Sequence, residues 1–247
     1  MNNALKGLTG YNQEFTERMR VVMCGRFTFI VDQEKLAELL YWLNINKDLK
    51  PSYNIAPSQN VPVVRNNGLK ELEFVKWGFV PSFLDDVSSG FNPINARVET
   101  AHSNGYFRRS FSSKRCLVFA SSYYEWTKNL PGFDGKTPVL IKLKNSPLMV
   151  FAGLWDEWTS EESDESIVTC CILTKESNEQ LRQYHSRMPV ILNPDYYQEW
   201  ISPEKRNPEE LKCFLTSPQE EFEVYPVSKI VNSPKNNSPQ CVEPLSE

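Results

Sequence analysis

From Cys24 onward the apolar positions recur with regular spacing, whereas residues 1–22 are polar, show no period and end in the short apolar step Val21-Val22 before Met23. Arg26 to Val31 alternates as a strand. Asp32 stands where it can N-cap a helix in which Leu36, Leu39, Leu40 and Leu43 fall at helical spacing. Val61–Val64 and Leu72–Trp77 read as strands flanking an Asn66-Asn67-Gly68 turn, a hairpin signal. A helix is expected from about Ala96 to about Arg109. A string of apolar strands follows at Cys116–Ala120, Tyr123–Trp126, Val139–Leu143, Met149–Leu154 and Ile167–Leu173, with a further short strand at Val190–Leu192. Short helices are expected over Ser177–Tyr184, Asp195–Trp200 and Glu209–Leu215. The Asn-, Ser- and Pro-rich stretch from Asn232 to Pro239 reads as an ordered or frayed tail.

Strands of mixed spacing with few crossover helices between them predict an antiparallel or mixed sheet closed on itself. The fold class is therefore α+β, a single domain with a mixed or antiparallel barrel-like β core and short flanking helices. It covers residues 24–247, with 1–23 as an extension or a mis-assigned start outside the mature fold. The 247 residues, 40% hydrophobic and 23% charged, are enough to bury a core without disulfides or structural metal. No stretch approaches the roughly 18 apolar residues of a membrane span, and no secretory signal is visible, so a cytoplasmic protein with reduced thiols is expected. The six cysteines form no CxxC pair and the chain has two histidines, so neither a metal nor another cofactor is expected. A net charge of −4 gives no global support for nucleic-acid binding. Locally, Arg108-Arg109 and Lys114-Arg115 read either as a solvated helix face or as part of a DNA groove.

Four sets of residues can carry chemistry. Cys24 follows Met23 directly, and an internal cysteine is ordinarily a small buried hydrophobe. At a chain start, however, methionine is normally removed before a small residue, leaving Cys24 with a free α-amine that titrates near 8. Amine and thiol on adjacent carbons can both attack one aldehyde carbon, the first giving a Schiff base and the second closing a thiazolidine. His185 is the leading proton shuttle, with a capping or core role as the alternative. Glu125, between Tyr124 and Trp126, is either solvent-facing or desolvated and suited to acid–base work. In Asn95-Ala96-Arg97, Asn95 is either a helix N-cap or an amide pointing into a pocket, and Arg97 suits a phosphate. Phe83 and Leu84, in the apolar run after Trp77, read as core or as a wedge against bases.

In order along the chain, MCGRF, PSYNIAPSQ, KWGFVPSF, INARVET, YYEW, HSRMPVIL and VNSPKNNSP resemble the SOS response-associated peptidase family, the abasic-site processing proteins. The resemblance runs from Cys24 to about Pro244. It implies a barrel-like β core with a positively charged cleft for single-stranded DNA, and a thiazolidine between Cys24 and the ring-opened sugar of an abasic site. It further implies that Asn95 holds Cys24 or the sugar, Glu125 is the acid–base carboxylate and His185 assists sugar opening. Arg26, Asn54, Pro57, Arg97 and Arg187 are implied DNA contacts, and Thr174 matches a secondary site position. Self-removal of whatever precedes the cysteine and lyase-type release of the crosslink are implied at the same site. The chain departs from the family at the 22 residues before Met23, at Phe83 and Leu84 where many relatives carry tryptophan, and at Ser121, where an acidic residue is common. Two other readings stand beside this one: a cysteine peptidase acting on proteins in trans through Cys24 and His185, and a non-covalent single-strand-binding module. The expected partner is single-stranded DNA with abasic sites, bound by a monomer.

Overall fold

The computed structural model describes residues 24–45, 48–87, 92–128, 130–160, 162–163, 165–215 and 221–245. The expectation for residues 1–23 lies outside these. Among the described residues the order is β1 (Phe27–Phe29), α1 (Gln33–Leu39), β2 (Ser52–Ile55), β3 (Asn60–Arg65), β4 (Glu73–Trp77), β5 (Asn95–Arg97), α2 (Val98–Ala101), α3 (Arg108–Ser113), β6 (Arg115–Ala120), β7 (Ser122–Thr127), β8 (Thr137–Leu143), β9 (Met149–Thr159), β10 (Ser166–Glu176), β11 (Arg187–Pro189), α4 (Tyr197–Trp200), α5 (Pro208–Phe214) and β12 (Phe222–Pro226). Short 3-10 turns lie at Pro194–Tyr196, Lys229–Asn232 and Pro239–Cys241.

Five strands close on themselves. β4 pairs β3, β3 pairs β6, β6 pairs β9 and β9 pairs β10, all antiparallel, and β10 returns to β4 in parallel. The closed ring satisfies the strand edges internally, and its single parallel contact makes the barrel mixed. The strands approach tightly at Gly153 on β9, where a Cβ would lie 2.7 Å from Cys116 Sγ and 2.9 Å from Val118 Cγ2. A second, antiparallel sheet has the order β12-β8-β7-β1-β2. Only Ser121 separates β6 from β7, so the chain passes from barrel to second sheet at one residue. The fully buried Phe27 joins the two, its ring 5.1 Å from Trp77 and 6.1 Å from Phe151.

Several local expectations change. The single helix over 96–109 is broken: Asn95–Arg97 is drawn into extended backbone by parallel pairing with Ile172–Thr174, and Asn104-Gly105 interrupts the rest with a turn in which Asn104 Oδ1 accepts from Tyr106 N. Ser177–Tyr184 forms turns rather than a helix, because Glu176 pairs with Arg187 and the chain between them is a hairpin loop closed by Ser177 N donating to Ser186 O. The strand expected at 190–192 falls instead at Arg187–Pro189, followed by a bridge between Phe151 and Ile191. The tail is ordered, for reasons that belong to the site.

Candidate active site

Cys24 sits just before β1 with a positive φ of 42° and is buried. β1 runs antiparallel to β7 with Phe27 opposite Tyr123, and Tyr124 N donates to Arg26 O. Continuing that ladder toward the N-terminus brings Cys24 beside Glu125. The Cys24 main-chain nitrogen donates to Glu125 Oε1 at 2.8 Å. Glu125 does not face solvent; it is 4% exposed. Burial pushes its carboxyl up to about 8, against the opposing pull of the Cys24 N–H and the positive charge of Lys136. Burial, reinforced by the charge of Glu125, also holds the Cys24 thiol well above its ordinary range, so it is a neutral thiol at neutral pH.

His185 is half-buried at the end of the hairpin loop, and its Nδ1 accepts from Arg187 N at 3.0 Å. The same Nδ1 lies 3.2 Å from the Arg187 carbonyl, to which it donates when the ring is protonated. Burial lowers the His185 pKa against the hydrogen bond to the Arg187 backbone, which raises it, and the charges of Lys136 and Arg187 lower it further. Glu125 and His185 therefore share the field of one exposed cation, Lys136, at the start of β8. Two residues beyond His185, Arg187 is buried and holds Glu99 with both terminal nitrogens, at 2.6 and 2.8 Å. Its Nη2 also donates to the carbonyl of Thr174 at 2.6 Å. Thr174 is fully buried, and its backbone is level with Arg97 across the β5–β10 pairing. Arg97 is exposed, and Asn95, two residues earlier on β5, is partly buried opposite Ile172. Asn95 is thus a strand residue and not a helix cap; the cap position is Arg97, which makes no side-chain capping bond.

Arg26 and Asn54 form a second group. Arg26 Nη1 donates at 2.7 Å both to Asn54 Oδ1 and to Val231 O, and its guanidinium lies 5.6 Å from the centre of the Trp126 ring. Asn54 is buried, and its Nδ2 donates to the carbonyls of Val231, Ser233 and Asn236. Asn237 Oδ1 accepts from Tyr53 N at 2.6 Å, and Asn232 Oδ1 from Trp126 Nε1 at 2.7 Å. These bonds order the Asn-rich tail against β2 and β7. Pro57, partly buried, leads into a turn with Ser58 at φ 71°. Phe83 is exposed and meets Tyr106 edge-on at 6.1 Å, while the Leu84 carbonyl accepts from Trp158 Nε1. Ser82 is pinned to Asp156 on β9, so this apolar turn is fixed to the barrel.

The basic cluster divides. Arg108 and Arg109 are exposed on α3, but Arg115 is fully buried and donates to the carbonyls of Ser112, Trp200, Ser202 and Glu204. Lys114 pairs with Asp156 at 2.6 Å. Arg115 is therefore a structural cation rather than part of a solvated face or a groove. Where an acidic residue is common, Ser121 Oγ accepts from Ile30 N at 2.8 Å and trims the end of β1. Two residues of the site escaped the sequence reading. Glu99 lies inside the INARVET run without an attribute to single it out, and Lys136 lies in a polar loop between strands with no local signal. Among the described residues no cluster of three or more His, Cys, Asp or Glu could hold a metal ion, and no helix is long and apolar enough to cross a membrane.

A family model described as SOS response associated peptidase (SRAP) matches residues 23–234. The abasic site processing protein YoqW of Bacillus subtilis is 40% identical over 228 residues, covering 90% of this chain and 99% of its own length. YoaM of the same organism, also named an abasic site processing protein, is 40% identical over 231 residues, covering 90% and 98%. In Saccharomyces cerevisiae the abasic site processing protein YMR114C is 30% identical over 259 residues, covering 90% of this chain and 68% of its own. Among solved structures, a protein from Bacteroides thetaiotaomicron superposes with a TM-score of 0.77 at 23% identity, covering 90% of this chain and all of its own, which shows the shared fold.

Proposed function

The chain belongs to the SOS response associated peptidase family, and on that premise we propose that it captures abasic sites in single-stranded DNA covalently through Cys24. The observation that carries this reading is the 2.8 Å contact between the Cys24 nitrogen and the buried carboxyl of Glu125. The relatives' shared name, abasic site processing protein, supports the same substrate. The α-amine of Cys24 adds to the aldehyde of the ring-opened sugar and water leaves, giving an imine. The thiol then adds to the imine carbon while its proton passes to nitrogen, and a thiazolidine closes with one water released overall. Glu125, whose burial pushes its carboxyl above the ordinary carboxylate range, takes and returns protons at that nitrogen. His185 presents Nε2–H to the sugar oxygen during ring opening, and Asn95 holds the sugar. Arg26, Arg97 and Arg187 line the strand's path with Pro57, Phe83 and Leu84. Asn54 and Thr174 contribute by fixing Arg26 and Arg187. Release runs the same steps backwards at the same carboxyl: the C–S bond opens to regenerate thiol and imine as the ring nitrogen returns its proton to sulfur, and water then hydrolyses the imine to amine and aldehyde.

An amide nitrogen has no basic lone pair, so the working protein begins at Cys24. Either translation starts at Met23 and the methionine is trimmed, or residues 1–23 are cleaved away with Glu125 as base. The neutral, buried thiol argues against a trans peptidase, which needs a thiolate. The test mixes protein with an oligonucleotide bearing one abasic site and reads a heat-stable adduct on a denaturing gel, alongside the intact mass of the protein. Single strands are expected to react well and duplexes poorly. Cys24→Ala abolishes the thiazolidine; equal adduct from that variant sinks the reading. A Met23→Ala chain that retains residues 1–23 and still crosslinks sinks it as well.

A further inference from the structure

Arg187 does not offer its guanidinium to solvent. Both terminal nitrogens are closed by Glu99, at 2.6 and 2.8 Å, and Nη2 is shared with the Thr174 carbonyl. The two side chains are unequally placed: Arg187 is 9% exposed and Glu99 is 46% exposed. The outward face of the pair is therefore a carboxylate, on a surface where an arginine ligand for DNA is needed. Arg97, exposed two residues away, adds a second positive charge. Burial pushes the Glu99 carboxyl up, but the hydrogen bonds and charge of Arg187 and the charge of Arg97 outweigh it and hold the group below its usual range. Two oxygens of one planar anion on an arginine fork make the geometry that the two free oxygens of a phosphodiester also adopt.

We propose that Glu99 is a specificity-determining residue that occupies the phosphate seat on Arg187, so that a DNA backbone reaches this arginine only by displacing the carboxylate. The inference rests on the reading of this face as a single-strand site. Its consequence is selective. An undamaged strand, held by phosphate contacts alone, competes against Glu99 and binds weakly. A strand with an abasic site becomes covalently attached, and its residence no longer depends on winning that competition. Glu99 is thus a filter against idle occupancy of undamaged DNA. A carboxylate that merely orients Arg187 for DNA has the opposite consequence, because removing it weakens binding.

The experiment measures anisotropy of an undamaged single-stranded oligonucleotide across a salt series, for the wild-type protein, Glu99→Gln and Glu99→Asp. Glu99→Gln should bind tighter at low salt by roughly tenfold, the scale of one charge-assisted contact. Its log–log salt slope should steepen by about 0.7, the increment for one phosphate neutralised on a single strand. Glu99→Asp keeps the negative charge but is one methylene too short to reach both nitrogens, and should shift in the same direction by less. It carries the decision if the glutamine variant fails to melt cooperatively. Weaker binding or an unchanged slope in the folded variants overturns the proposal. The wild-type protein is tested in parallel for adduct formation on an abasic single strand. Crosslinking by wild type with no gain in the Glu99 variants overturns this inference alone, whereas absence of crosslinking removes the reading of the site with it.

Discussion

Cys24 and Glu125, 101 residues apart, meet through a hydrogen bond from a main-chain nitrogen to a buried carboxyl. The contact is made at nitrogen rather than at sulfur, and this orders the chemistry. In the proposed capture, a carboxyl at that position serves the atom that makes the first bond to the aldehyde. The thiol, neutral and buried on the adjacent carbon, serves the second.

Glu125→Gln and His185→Ala should therefore slow adduct formation on abasic single strands, each by roughly 10- to 10⁴-fold, as expected for lost proton transfer. Single-turnover time courses at saturating strand measure this. Wild-type rates from a folded Glu125→Gln protein rule out the acid–base role.

Glu125 also gives stability an unusual pH dependence while Cys24 carries its amide. Its carboxyl titrates at about 8 in the fold, against about 4.3 unfolded. Between these values the native state keeps a proton that the unfolded chain has lost. The stabilisation is complete below the unfolded value and is lost as pH rises through the folded one. The full swing is on the order of a few kcal/mol. Urea melts at mildly acidic and mildly alkaline pH should show the decline, and Glu125→Gln should flatten it. A processed chain places an α-ammonium at the same contact, which lowers the carboxyl's pKa and shrinks the decline.

Arg97→Ala should weaken binding to undamaged single strands and make the salt slope shallower by about 0.7, the share of one phosphate. The side chain is exposed and its loss opens no cavity. An unchanged slope removes Arg97 from the strand's path.

Gly153→Ala should destabilise the barrel by about 1–3 kcal/mol, the range for overpacking a core. The new methyl would meet the Cys116 sulfur, the Val118 side chain and, at 3.1 Å, the main-chain carbonyl of Cys171. Denaturant midpoints measure it; a neutral substitution means the strands part more easily than the geometry indicates.

The barrel was legible because its strands are apolar runs bounded by polar turns, and the β3–β4 hairpin because Asn-Gly supplies the turn, with Gly68 at φ 84°. The Asp32 cap was equally readable: its Oδ1 accepts from Lys35 N at 2.7 Å. What escaped is decided by distant partners. Asn95–Arg97 has helix-compatible residues and becomes a strand only because β10 is there to pair with. β12 has a half-buried, mixed pattern that becomes visible as a strand beside β8. Charge alone left Arg115 on the surface, because the four carbonyls that receive it come from residues up to 89 positions away. The candidate residues stood out as motifs, but the depth of Glu125, the cover on Arg187 and the field of Lys136 are properties of the assembled molecule.

The guanidinium of Arg26 rests on the carbonyl of Val231, 205 residues downstream, and Asn54 clasps the same strip of backbone as far as Asn236. The ground beneath Arg26 is thus supplied by a stretch of chain far removed from it in sequence. A chain lacking residues 231–236 loses the carbonyls that hold Arg26 and Asn54 in place, while the Cys24–Glu125 contact uses none of them.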